Sequence, residues 1–91
     1  RGLNMNPINF TNISTATTTT VKSGRGALAR ITVNTTASGA ITVYDNTSAA
    51  GTKIATLPSS AVVGTYEFRC RFLTGLTIVT AAASDITVIW E

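Results

Sequence analysis

The sequence predicts an all-β domain, a small antiparallel β-sandwich of jelly-roll or Ig-like type with an extended N-terminal arm. Three observations predict it. Apolar and polar residues alternate along several short segments, turn-forming clusters divide those segments at close spacing, and no window sustains the i, i+3, i+4 pattern of an amphipathic helix. At 91 residues the chain has material for a single core. Many short strands without helices bury alternate residues against a second sheet or inside a small barrel, and the sandwich is favoured here.

Residues 1–22 read as a Thr/Asn-rich arm, with the sandwich expected over 23–91. Asn4, Asn6, Asn9 and Asn12 precede the run Thr17, Thr18, Thr19 and Thr20, with few large apolar groups among them. Threonine is β-branched and prefers extended backbone, so the segment becomes a strand only where something supplies a partner edge. The alternatives are a solvated tail, an ordinary first strand and an arm reaching onto a neighbour.

The first strand of the sandwich places Ala29, Ile31 and Val33 on one face and Arg30, Thr32 and Asn34 on the other. After the turn-forming Ala37-Ser38-Gly39, Ile41 and Val43 alternate with Thr42 and Tyr44 until Asp45-Asn46 breaks the run. The chain returns through Thr47 to Gly51 into Lys53–Leu57, where Ile54 and Leu57 fall on opposite faces and leave the buried side undecided. Pro58 has no N–H to give a ladder, so it closes that strand, and Ser59 to Gly64 is a crossing connection that offers Val62 and Val63 to the core. Next, Tyr66, Phe68, Cys70 and Phe72 face one way, and Thr65, Glu67, Arg69 and Arg71 the other. Burying an aromatic ring contributes about 1.5–3 kcal/mol, which predicts that this strand crosses the centre of the core. Leu76 to Val79 and a last strand aligning Ile86, Val88 and Trp90 complete six or seven strands.

Composition points to association. Charged residues make up only 12% of the chain against 44% hydrophobic, where about 25% charged is usual for a soluble domain. So thin a cover of charge favours surfaces that neighbours bury. The net charge is +3, but Arg1, Lys22, Arg25, Arg30, Lys53, Arg69 and Arg71 form no run, so no nucleic-acid partner is expected. Nor is a membrane partner, because no stretch of about 18 apolar residues occurs. No charged-then-apolar leader opens the chain, and that end supports no targeting expectation. The lone cysteine, Cys70, has no partner for an intrachain disulfide, which leaves assembly as a source of stability for a small core.

Catalysis, metals and cofactors are not expected. The chain has no histidine, the commonest general base and metal ligand. Asp45, Glu67, Asp85 and Glu91 are isolated from one another in sequence, and Asp45 and Asp85 suit the stabilisation of turns through backbone N–H groups. Cys70 lies between Phe68 and Phe72 on an apolar face, the setting of a buried thiol rather than a nucleophile. Trp90 aligns with Ile86 and Val88, which favours packing over sugar stacking. The candidate partner contacts are Thr17, Thr18, Thr19 and Thr20 of the arm, with Arg69 and Arg71, which together with Glu67 could meet an acidic neighbour.

Over roughly residues 25–91 the order of Tyr44-Asp45-Asn46-Thr47-Ser48 with Gly51-Thr52-Lys53, then Gly75-Leu76-Thr77-Ile78-Val79 and a closing Ile86-Thr87-Val88, resembles small virion proteins of tailed bacteriophages. The resemblance implies a β-sandwich attached to the major capsid protein or another virion subunit at the capsid surface. It implies a non-enzymatic decoration or cement protein, working as a homo-oligomer that bridges and stabilises the assembled head. The competing expectation is a recognition module of tail-fibre or adhesin type, gripping a cell-surface glycan through the loop from Asn46 to Thr52.

Overall fold

The structure is a computed structural model describing residues 8–91. Eight strands and no helix make up these residues: β1 (Asn9–Ile13), β2 (Thr17–Ser23), β3 (Gly26–Thr35), β4 (Ile41–Asp45), β5 (Thr52–Leu57), β6 (Gly64–Phe72), β7 (Gly75–Thr80) and β8 (Asp85–Trp90). They form two four-stranded antiparallel sheets, in the orders β1-β8-β3-β6 and β2-β7-β4-β5. Folding the chain back on itself at the β4–β5 loop brings β1 to β8, β2 to β7, β3 to β6 and β4 to β5, and all four pairings are present. Rolling that long ladder adds β3 against β8 and β4 against β7. This is the jelly-roll winding, so of the two sandwich types open from the sequence the jelly roll is the one formed.

The N-terminal segment corrects the expected division of the chain. It is extended, as its threonines require, but it pairs within the molecule: Thr17 to Thr20 lie opposite Thr80 to Thr77, and Asn9 to Ile13 opposite Trp90 to Ile86. The boundary expected at 22/23 therefore falls inside β2, and residues 9–23 supply the first strand of each sheet. The partner edge that the threonine run needs is β7 of the same chain. Residues 1–7 of the expected arm lie outside the described residues.

Between the sheets, Ile13, Leu28, Ile31, Val33, Phe72, Ile86 and Val88 meet Ile41, Val43, Leu57, Leu76 and Ile78, all buried. Two sequence expectations shift here because adjacent strands differ by single inserted residues. In β3, Leu28 and Ile31 are both buried while Ala29 is not, because Leu28 and Arg30 face the adjacent Trp90 and Ile89. Ala29 is thus a bulge residue, and it resets the alternation. In β5, Ala55 and Lys53 face the adjacent Val43 and Tyr44, so Ile54 is the inserted residue. The bulge lets Ile54 pack against the core although it is out of phase with buried Leu57.

Strand β6 is an edge of the first sheet rather than its centre. Its alternation is as expected, but Tyr66, Phe68 and Cys70 are only half-buried and Phe72 alone is fully enclosed. A single neighbouring strand, β3, covers one flank of β6, and the other flank faces solvent. In the β5–β6 connection, Ala61 is buried, while Val62 and Val63 point outward. The Tyr66 hydroxyl donates to the Val62 carbonyl at 2.6 Å and fixes that connection in place.

Candidate functional site

Antiparallel winding sorts the connections into two ends. Residues 14–16, 36–40, 58–63 and 81–84 share one end; residues 24–25, 46–51 and 73–74 share the other with the start of β1 and the close of β8. The first set contains no charged residue. These connections form a tied surface. Ser60 N–H donates to Ala37 O at 3.0 Å, Ala81 N–H to Ala40 O at 3.1 Å, and the Thr80 hydroxyl to Thr15 O at 2.6 Å. Gly39 lies so close to Ala81 and Ala82 that a methyl group there would stand 2.6 Å from the Ala82 nitrogen. From this end Val62 projects 77% exposed, with Val63 beside it.

The opposite end gathers the cations. Lys22 and Arg25 flank the β2–β3 turn, Lys53 follows the β4–β5 loop, and Arg69 and Arg71 lie in the second half of β6. Arg25 and Arg71 line an open groove of about 400 Å³ with Gly26, Ala27 and Glu91. Lys22 holds its ammonium over the Trp90 ring, 5.7 Å from the centroid. The indole N–H donates to Thr11 Oγ1 at 3.2 Å, so Trp90 is a packing residue at the rim of the core.

Asp45 anchors this charged end. Its carboxylate accepts N–H donors from Leu73, Thr74 and Gly75, the nearest at 2.8 Å. Donation from Thr74 and Leu73 holds the carboxyl below its ordinary range, and the smaller effect of burial opposes it. The turn role expected of Asp45 is thus present, at the β6–β7 turn. Asp85 differs from the expectation: it accepts from the Asn12 side-chain amide at 2.7 Å, across the β1–β8 pair, because β1 lies beside it. The loop from Asn46 to Gly51 is held by its own first residue. Asn46 accepts from Thr47 N–H at 2.8 Å and donates to Ala50 O at 2.7 Å.

The sequence-derived contact residues do not share one surface. Thr17, Thr18 and Thr20 are exposed on β2, an edge of the second sheet, and Thr19 is half-buried. The run begins next to the uncharged end. Arg69 and Arg71 lie on β6, an edge of the first sheet, towards the charged end. Glu67 is bracketed by Arg30 at 3.0 Å and Arg69 at 3.5 Å, and donation from Arg30 leads in lowering its pKa. The Arg69 side chain stays 80% exposed. Cys70 is half-buried, and burial pushes its thiol pKa upward, with the Asp45 carboxylate adding to the effect. Among the described residues no group of three metal-ligating side chains comes together.

The uncharged end is the surface that sequence reasoning passed over. Its signal was present in the runs 31–44, 54–66 and 72–84, none of which contains a charged residue. Only the jelly-roll winding brings their connections to one pole. No protein-family model matches the chain, and no curated protein matches it closely enough to count as a relative. The fold defines it as a small jelly-roll β-sandwich, and fold alone carries no function.

Proposed function

We infer that this protein is a structural subunit of a bacteriophage virion, a decoration or cement protein that binds the assembled head through its uncharged end. The carrying observation is that end itself, presenting Val62 and Val63: four connections without a charge, three tied by backbone hydrogen bonds and the fourth, 14–16, held by the Thr80 hydroxyl. Leaving two valines in water at a hydrogen-bonded pole costs solvation that a docked protein surface recovers. The four connections carry no charge, and the bordering carboxylate of Asp85 is already engaged by the Asn12 amide, which limits the desolvation cost that a charged footprint would carry. Thr17 and Thr18 extend this footprint along β2, while Arg69 and Arg71 lie beyond it on β6.

Binding is the whole mechanism. A subunit that recognises the assembled lattice but not its free components stabilises the lattice by mass action. The test is co-sedimentation with shells stripped of this protein, followed by heating and osmotic shock. Binding with improved shell survival supports the assignment; a protein left in the supernatant, with shells equally robust in its absence, refutes it.

A further inference from the structure

Each sheet of an open sandwich leaves two edge strands whose outward N–H and C=O groups can accept another strand, and proteins guard such edges with bulges and cations. Three of the four edges here carry both devices. In β2, Val21 is inserted between Thr20 and Lys22, which face the adjacent Thr77 and Leu76, and Lys22 follows the bulge. In β5, Ile54 is inserted beside Lys53. In β6, two residues, Phe68 and Arg69, oppose the single Ala29, and Arg69 takes a left-handed conformation with φ 50°. Strand β1 has neither device. Its five residues pair with β8 in unbroken register from Asn9↔Trp90 to Ile13↔Ile86, and none is charged. It also bears Phe10, 72% exposed, and Ile8 stands exposed just before it.

We propose that β1, whose outer side no other described strand covers, pairs, antiparallel, with β1 of a second copy of this chain about a two-fold axis at Phe10. The occupant follows from charge. A guarded edge brought against its own copy would oppose cation to cation, whereas β1 meets its copy with none. In its own sheet the nearest cation across the strands is Arg30 on β3, two strand spacings or about 10 Å away. That exceeds the Debye length of about 8 Å at physiological ionic strength. Lys22, on the neighbouring edge, holds its ammonium 5.7 Å from the ring centroid of Trp90, the register partner of Asn9, so this one cation stands beside the start of β1 while engaged by the ring. The pairing sets Phe10 against Phe10 across the axis and joins the first sheets into one of eight strands. Antiparallel pairing also points the two uncharged ends in opposite directions.

The dimer is tested on the isolated protein without shells, so its failure is separate from failure of the virion assignment. Sedimentation velocity should give the mass of two chains for the native protein and of one chain for Phe10→Lys, with unchanged circular dichroism. Arg71→Glu, on the guarded edge, should stay dimeric. Amide exchange provides a check that needs no variant: β1 amides of the native protein should lose protection on dilution while those of β3 do not. A native protein that sediments as one chain, a dimeric Phe10→Lys, or β1 protection independent of concentration would overturn the proposal. So would β1 amides protected only when shells are added, which would make a lattice strand the occupant.

Discussion

The Asp45 carboxylate accepts the Thr74 backbone N–H at 2.8 Å and thereby fastens the end of β4 to the turn between β6 and β7. The first sheet ends at Phe72 and the second resumes at Gly75, so this contact sits where the chain crosses between layers. A carboxylate can serve several donors in such a turn, and a neutral side chain cannot match it.

Replacing Asp45 with Asn should lower stability by about 1–2 kcal/mol, the range for charge-assisted hydrogen bonds after allowance for partial exposure. The pH dependence has a definite sign. The folded-state pKa lies below the ordinary value of 3.8, so the stabilisation is complete above that value and fades as pH falls through it towards the folded pKa. Urea melts between pH 6 and pH 2.5 should show the native protein losing its advantage over Asp45→Asn in the acid range. A constant difference across that range would contradict the assignment.

Gly39→Ala should destabilise the protein by about 1–3 kcal/mol, because the added methyl meets Ala82 backbone rather than a side chain that could move aside. The damage should be local to the uncharged end. Thermal melts would give the loss, and amide exchange should locate it in residues 36–40 and 81–84.

Cys70 should react slowly with iodoacetamide at pH 7.5 compared with a free cysteine, because burial raises its pKa above the ordinary 9.0 and the thiolate is the nucleophile. The rate should climb as pH rises past 9. Rapid labelling at neutral pH would show the β6 edge to be more open than the structure has it.

Much of the fold was legible because period-two alternation survives wherever strands pair without insertion. Ile41 and Val43, or Ile86 and Val88, could be assigned to the core from sequence alone, and both pairs are buried. Legibility failed at the bulges. Ala29 and Ile54 each shift the phase by one residue, and nothing in their identity announces it. The N-terminal threonines read as extended, but whether their partner edge was their own or a neighbour's depends on a pairing more than 50 residues distant, with β7. The candidate site was legible only in pieces, since its four connections are far apart in sequence and adjacent only after the roll. Side-chain chemistry drew attention to Arg69 and Arg71; the lack of chemistry in four loops did not.

Docking through the uncharged end, as proposed, is tested most directly by paired variants in a shell-binding assay. Val62→Asp with Val63→Asp alters two exposed side chains and should shift stability by no more than about 0.5 kcal/mol. Co-sedimentation with stripped shells should fall at least tenfold for that double variant and stay within about twofold for Arg69→Gln with Arg71→Gln, a tenfold loss corresponding to about 1.4 kcal/mol. Undiminished binding by the valine variant, or a larger loss from the arginine variant, would contradict the claim.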